Sequence, residues 1–172
     1  MGDAERLFRD YHDTLVRYLT RRLGDRDWAE DVAQETFIRA LRQEHIVNER
    51  AWLFAVATNL VRDEARKDAN RRRHLELMFE ERRADVQEPD VSALERAQEA
   101  AMARKAVDSL AERDRLALLM REEGLDYGEI AEALELSPGS VGTTLSRARR
   151  RLAEAYEALQ RAAQGREGHA AS

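Results

Sequence analysis

The stretch from Asp126 to Leu152, DYGEIAEALELSPGSVGTTLSRARRRL, constrains the fold most, because two helical periodicities meet there across a tight corner. Asp126 is a good N-cap, and Glu129 follows at the capping-box spacing. Tyr127, Ile130, Ala131 and Leu134 then share one face of a short helix. Ser137 is placed to cap a second helix, with Pro138 in its first turn, where a missing N–H costs nothing. Val141, Leu145, Ala148 and Leu152 make a narrow buried seam along that helix. Its opposite face carries Ser140, Gly142, Thr143, Thr144, Ser146, Arg147, Arg149 and Arg150. Small and hydroxylated residues allow close approach to a surface, and arginines further on meet phosphates, which is how a helix-turn-helix enters a DNA major groove. An ordinary helical hairpin with a solvated basic face would carry the same residues.

The rest of the chain shows the same helical step and no strand signal. A first helix is predicted from Ala4 to Leu23, with Leu7, Tyr11, Leu15, Tyr18 and Leu19 as its stripe and Gly24 closing it. After a turn over Asp25–Asp27, a second helix runs from about Trp28 to Arg42, with Ala29, Val32, Ala33, Phe37 and Leu41 facing inward. The segment Gln43–Asn48 breaks the periodicity and reads as a loop. A third helix runs from Glu49 into the low seventies, with Trp52, Leu53, Val56, Ala57, Leu60 and Val61 supplying its apolar face. From Glu80 to about Ser92 the chain turns polar and acidic around Pro89, the composition of a linker. Helices resume over Ala93–Leu110 and Asp114–Glu123, and Gly124 ends the latter. The last helix continues through Ala153, Tyr156 and Leu159 before a Gly-containing tail. The expected fold is all-α: an N-terminal helical bundle and a C-terminal helix-turn-helix domain joined by an acidic linker.

Composition narrows the function. The absence of cysteine excludes disulfides and Cys-based zinc sites and fits a reducing compartment. His12, His45, His74 and His169 lie far apart, so no metal site is expected. No apolar run approaches the roughly 20 residues that span a bilayer, which predicts a cytoplasmic protein without membrane insertion. A net charge of −5 speaks against nucleic acid only until its placement is read. Residues 62–74 hold six basic and three acidic side chains, whereas residues 80–99 hold seven acidic and three basic ones. A local basic patch is what a polyanion meets. Enzyme readings fail for want of a Gly-rich phosphate loop, an HExxH or a nucleophile-elbow serine. Most carboxylates belong to solvated faces, with Glu154 spaced to pair with Arg150 and no such partner for Glu30 or Glu64.

Two further polar groups stand out. Asp31, Gln34 and Glu35 share one helix face, which suits either solubility or docking to a basic or helical partner. Asn59, Arg62, Asp63, Arg66 and Lys67 recur at steps of three and four beside the Trp52 face. They suit a salt-bridged exterior or, with the arginines downstream, the path of a nucleic-acid backbone.

Taken in order, these groups closely resemble the bacterial sigma factors of the extracytoplasmic-function group, small two-domain initiation factors of RNA polymerase. DVAQETFIRAL (Asp31–Leu41) is similar to the family's core-binding segment, AWLFAVATNLVRDEARK (Ala51–Lys67) to its −10 recognition and melting helix, and Leu125–Leu152 to its −35-binding helix-turn-helix. The resemblance extends from about Leu7 to Tyr156. It implies a −10 and polymerase-binding domain over 1–79, a linker over 80–98, a −35-binding domain over 99–164 and a flexible tail over 165–172. Asp31, Gln34 and Glu35 would meet the coiled coil of the polymerase's largest subunit. Asn59, Arg62, Asp63, Arg66 and Lys67 would lie along the −10 element, and the loop Gln43–Asn48 would help hold a base flipped from the non-template strand. Ser140, Thr143, Thr144, Arg147, Arg149 and Arg150 would face the −35 groove and its phosphates. The implied partners are core RNA polymerase, promoter DNA and, as for many group members, an anti-sigma factor. No cofactor and no small-molecule substrate are implied.

Some positions depart from the family's pattern. Glu135 stands where the helix-turn-helix corner usually has Gly, Gly142 and Thr144 stand where Lys and Arg are frequent, Thr58 replaces a common Arg, and Ala111 a common Pro. These bear on which −35 sequence is read. Two other readings use part of the pattern: a helix-turn-helix regulator acting without polymerase, and a sigma-like adaptor that sequesters an anti-sigma factor. The Asp31–Glu35 and Asn59–Lys67 faces argue against the former, and the lack of room for a signalling domain against the latter.

Overall fold

The computed structural model describes residues 2–67 and 91–170, except the side chains of Arg66 and Lys67. Every regular element among the described residues is a helix: α1 (Gly2–Leu23), α2 (Arg26–Leu41), α3 (Glu49–Lys67), α4 (Val91–Asp108), α5 (Glu112–Glu122), α6 (Tyr127–Leu134) and α7 (Pro138–Ala170).

The first three helices pack on one another through the predicted stripes. Gly24 ends α1 at φ +73°, a backbone that favours glycine, and the guanidinium of Arg104 lies so close that a Cβ there would collide with it. Asp25 then caps α2 by accepting the Trp28 N–H at 3.1 Å, so the helix starts at Arg26 and the expected turn shrinks to two residues. Leu15, Leu19, Val32, Ala33, Leu53 and Ala57 are fully buried, and Phe54, absent from the predicted face of α3, is buried with them. Tyr18 packs its ring against Phe54, with centroids 4.9 Å apart. Leu41 departs from expectation: it is 63% exposed, at the end of α2 beyond the reach of the core.

In the C-terminal half, α4, α5 and α6 all pack against α7. The predicted seam of Val141, Leu145 and Ala148 is buried, with Leu152 half-buried. Helix α4 begins at Val91, inside the range expected for the linker, and residues 80–90 of that range, including Pro89, lie outside the described residues. At its other end α7 runs to Ala170, through Gly165 and Gly168, where a fading tail was expected. Leu152, Ala155, Tyr156, Leu159 and Ala163 stay half-buried at steps of three and four, so α7 keeps a packed stripe well past the helix-turn-helix. Beyond it the Gln, Arg, Glu and Ala residues favour continuation against a penalty of about 1 kcal/mol for each glycine.

The capping box of α6 is complete: Asp126 Oδ1 accepts from the Glu129 N–H at 2.8 Å, and Glu129 Oε1 from the Asp126 N–H at 3.0 Å. Helix α6 ends at Glu135, in the left-handed conformation at φ 55° and ψ 45°. The Leu136 N–H returns to the Ala131 carbonyl at 2.8 Å, the closing bond of a Schellman turn. That turn requires positive φ whatever the residue, so the strain at Glu135 follows from its Cβ. The corner between α5 and α7 is fixed by Asp114, whose buried carboxylate accepts from Arg147 Nε at 3.1 Å and Nη2 at 2.7 Å, with Arg151 at 3.5 Å.

Ion-paired hydrogen bonds hold three carboxyl groups below their ordinary range: Glu49 against Arg6, Asp114 against Arg147, and Glu129 against Arg50. A group whose pKa is lower folded than unfolded contributes stability above its unfolded value and loses it as pH falls through the folded one. Urea unfolding is therefore expected to show a midpoint that falls as pH is taken below 4.5, the ordinary value for the two glutamates. Glu135→Gly is expected to stabilise the fold by about 0.5–1 kcal/mol in the same assay, relief of Cβ strain outweighing the added freedom of the unfolded chain. Asp114→Ala should lower the thermal midpoint by roughly 4–8 °C, because it strands Arg147 beside an emptied buried site.

Candidate nucleic-acid interface

The N-terminal part of α7 presents only part of the face read from the sequence. Thr143, Ser146, Arg149 and Arg150 are exposed, and Ser140 is half-buried with its hydroxyl donating to the Ser137 carbonyl at 2.8 Å. Thr144 lies on the buried side, its Oγ1 donating to the Ser140 carbonyl at 2.8 Å, which corrects its expected outward position. Its β-branched side chain fits beside the seam residue Leu145, and the back-bond satisfies its hydroxyl without a surface partner. Arg147 is half-buried and committed to Asp114. Gly142 is half-buried, and a Cβ there would meet the Tyr127 ring at 3.6 Å, an ordinary contact. The free basic edge therefore consists of Arg149 and Arg150, with Thr143 and Ser146 ahead of it.

Helix α3 places Asn59 and Asp63 in solvent and Arg62 half-buried beside them. Arg62 donates to Asn59 Oδ1 and to Glu112 Oε1, both at a long 3.4 Å. Arg66 and Lys67 close the helix with side chains outside the described residues, as are Arg71, Arg72 and Arg73 entirely. Thr58 turns inward: its hydroxyl pairs with the Tyr18 phenol at 2.8 Å, and its carbonyl accepts from Arg22 at 3.1 Å. Burial raises the Tyr18 pKa and lowers that of Arg22. Two carboxylates read as unpaired have partners, since Glu64 accepts the Trp28 indole N–H at 2.7 Å and Glu30 pairs with Arg26 at 3.1 Å. The irregular segment before α3 carries Val47 at 90% exposure and ends on Asn48, whose amide donates to Glu132 at 3.0 Å.

On α2, Asp31 and Gln34 are exposed, and Glu35 accepts from Arg39 at 3.1 Å. Beside them lies a groove that sequence reasoning passed over. Phe8 and Ile38 are 48% and 37% exposed, and with Leu41, Phe37 and Gln34 they line an almost wholly apolar trough between α1 and α2. The signal was present in the sequence, because Phe8 and Ile38 fall outside the core stripes of their helices. A polar face flanking an apolar trough suits docking of an amphipathic helix.

Comparison with known proteins agrees with this layout. The Sigma-70 region 2 family model matches residues 7–72, and the Sigma-70 region 4 model matches residues 100–152. The chain is 31% identical over 153 residues to RNA polymerase sigma factor YlaC of Bacillus subtilis, covering 84% of this chain and 87% of that one. It is 32% identical over 150 residues to the ferric citrate uptake sigma factor FecI of Escherichia coli, covering 84% and 85%. Against the ECF RNA polymerase sigma factor BldN of Streptomyces coelicolor it is 34% identical over 165 residues, 88% of this chain, but it spans only 61% of that protein's length. The structure of the sigma factor RpoE bound to the anti-sigma factor NepR from Bartonella quintana shares the fold, with a TM-score of 0.63 and 22% identity over 91% of this chain and 98% of that one. The chain thus belongs to the extracytoplasmic-function group of sigma factors, the promoter-recognising proteins of transcription initiation.

Proposed function

We propose that this sigma factor joins core RNA polymerase through α2, lays α3 along the −10 element and seats α7 at the −35 element, opening DNA strands without catalysing any bond change. The observation that carries this reading is the coexistence in one chain of three separate solvent-facing surfaces. They are the Gln34-lined trough, the Asn59–Asp63 stripe and the Arg149–Arg150 edge of a helix-turn-helix. A duplex-binding regulator needs only the last of them. In domain terms, residues 1–79 take the polymerase and −10 roles and residues 99–164 the −35 role, with the cytoplasm as the place of action.

Asp31, Gln34 and Glu35 supply charge and hydrogen bonds to a coiled coil of the polymerase, while Phe8, Ile38 and Leu41 supply the apolar contact. Asn59, Arg62, Asp63, Arg66 and Lys67 track the −10 element, and the loop ending at Asn48 holds an unstacked base. At −35, Thr143, Arg149 and Arg150 make the direct approach from the exposed face. Ser140 borders them, and Arg147 acts from its clamp on Asp114. Thr144 serves by packing the helix. An anti-sigma partner fits the same picture, since the similar RpoE was solved bound to one.

Transcription with purified core polymerase on genomic promoter fragments tests the whole reading; no core binding and no specific transcript would end it. Asp31→Arg combined with Glu35→Arg should abolish core binding while circular dichroism stays helical. Leu41→Asp, at a residue already in solvent, should weaken core affinity about tenfold without lowering the unfolding midpoint. Unchanged affinity in both variants would remove the assignment of this face.

A further inference from the structure

A cavity of about 430 Å³ gathers three guanidinium groups around one carboxylate. Arg22 comes from the last turn of α1, Arg62 from α3, and Glu112 and Arg115 from the first turn of α5. Glu112 and Arg115 stand three positions apart on one helix, a spacing at which they could pair. The carboxylate is drawn elsewhere: its Oε1 accepts from Arg22 Nη2 at 3.1 Å and from Arg62 Nε at 3.4 Å. Arg115 is left over. Among the described residues its Nε is the one buried side-chain nitrogen or oxygen without a hydrogen-bond partner.

The charges of the cavity do not balance, since three cations meet a single carboxylate. The side chain of Arg22 is only 5% exposed, so water screens it poorly. Burial is the first cause of its lowered pKa, and repulsion from Arg115 and Arg62 adds to that in spite of Glu112. Leu23 and Val61 supply an apolar wall, which strengthens every electrostatic interaction beside it. A buried donor without an acceptor calls for a physical reason, and so does a cluster of like charges held at a helix junction. An anion supplies both the acceptor and the missing negative charge. Guanidinium groups suit phosphate in particular, because their planar fork meets two of its oxygens at once. The volume lies within the range of about 300–1,000 Å³ typical of small-molecule sites.

We propose that this cavity binds a small organic phosphate, whose terminal phosphate or diphosphate group bridges Arg22, Arg62 and Arg115. A phosphate in mid-strand of a nucleic acid carries a sugar on each side and cannot bring its oxygens to a guanidinium as enclosed as that of Arg22. A terminal phosphate has three oxygens free to enter. Of the groups in the promoter reading the site shares only Arg62, and it stands without that reading. Glu112 competes with the ligand for Arg22 and Arg62, and Arg115, which has no partner to give up, provides the first contact.

The test uses the full chain and pyrophosphate as the probe, without divalent cations. Calorimetry should show a single site, and the melting temperature should rise with pyrophosphate concentration. Arg115→Gln should weaken binding about tenfold or more, the loss of a charge-assisted hydrogen bond. In buffer without the probe this variant should melt no lower than the parent, because it removes an unmatched charge. Glu112→Gln should instead tighten binding severalfold, since it removes the competing carboxylate. Arg9→Gln, at an exposed arginine far along α1 from the cavity, should change nothing. Adenosine monophosphate is expected to displace pyrophosphate, and adenosine is not. Displacement by adenosine, or none by the monophosphate, would overturn the assignment to phosphate esters. Displacement by a thymidine hexamer without terminal phosphates, at matched phosphate concentration, would make the site one for a nucleic-acid backbone and overturn the small-molecule assignment. An equal melting shift with sodium chloride at the same ionic strength would reduce the effect to screening. Equal affinity of the parent and Arg115→Gln, or weaker binding by Glu112→Gln, would refute the site directly. A lower melting temperature of Arg115→Gln without the probe would show Arg115 to be a structural residue, and would refute it as well.

Discussion

The arrangement of this molecule depends on one carboxylate. Glu129 completes the capping box that starts α6, and its two oxygens also receive both donors of Arg50 at the start of α3. Its lowered pKa reflects first the Arg50 hydrogen bonds and then the bond from the Asp126 backbone. The bond from Asp126 fixes where the helix-turn-helix begins, and the bonds from Arg50 fix where it sits against the N-terminal half. Because the group is nearly buried, neither role is easily replaced by water, and losing the carboxylate would leave Arg50 half-buried without its partner. Helix initiation and domain placement are thereby coupled through a single side chain.

A second coupling works on the other side of the helix-turn-helix. Asp114, in the first turn of α5, holds Arg147 and touches Arg151 one turn further along α7. A carboxylate at a helix N-terminus is itself favoured by the helix dipole, so the site is stabilised from α5 as well as from the arginines. The consequence for recognition is rigidity. With Arg147 clamped and Thr144 packed inward, the N-terminal part of α7 has few loose side chains, and its orientation on α5 is set by the protein itself. Such preorganisation limits the ordering that binding must impose. The long cationic side chains left exposed between Arg147 and Arg151 are Arg149 and Arg150.

The fold was largely legible because its causes are local. Helical periodicity located Leu15, Leu19, Val32, Leu53, Ile130 and Leu145, and the cap chemistry of Asp126 and Gly24 placed boundaries to within a residue or two. What was not legible depends on where elements end relative to their neighbours. Leu41 continues the α2 stripe in sequence, yet nothing of the core reaches it. Thr144 and Arg147 look like surface residues by type, but one is absorbed beside the seam and the other by an acid 33 positions away. Glu135 shows the reverse case. The sequence marked an absent glycine, and the structure keeps the left-handed turn regardless, because two backbone N–H groups and the following helix require it. Three ordered polar faces were readable in the sequence, whereas the trough beside Gln34 emerged only once α1 and α2 were packed.

The acidic total of the chain also acquires a physical sense. A DNA-binding protein of net charge −5 has little long-range attraction for duplex in general, since non-specific affinity comes almost entirely from phosphate neutralisation. In this molecule many of the arginines near the contact faces are already neutralised by carboxylates of the same chain, at Glu112, Glu123, Glu129 and Asp114. An arginine so paired contributes to DNA affinity only the difference between a phosphate and the carboxylate that it leaves. That difference is small for any single site and any random sequence. Internal pairing thus keeps these arginines from adding freely to non-specific affinity, which is how a chain this rich in arginine stays a weak binder of DNA in general.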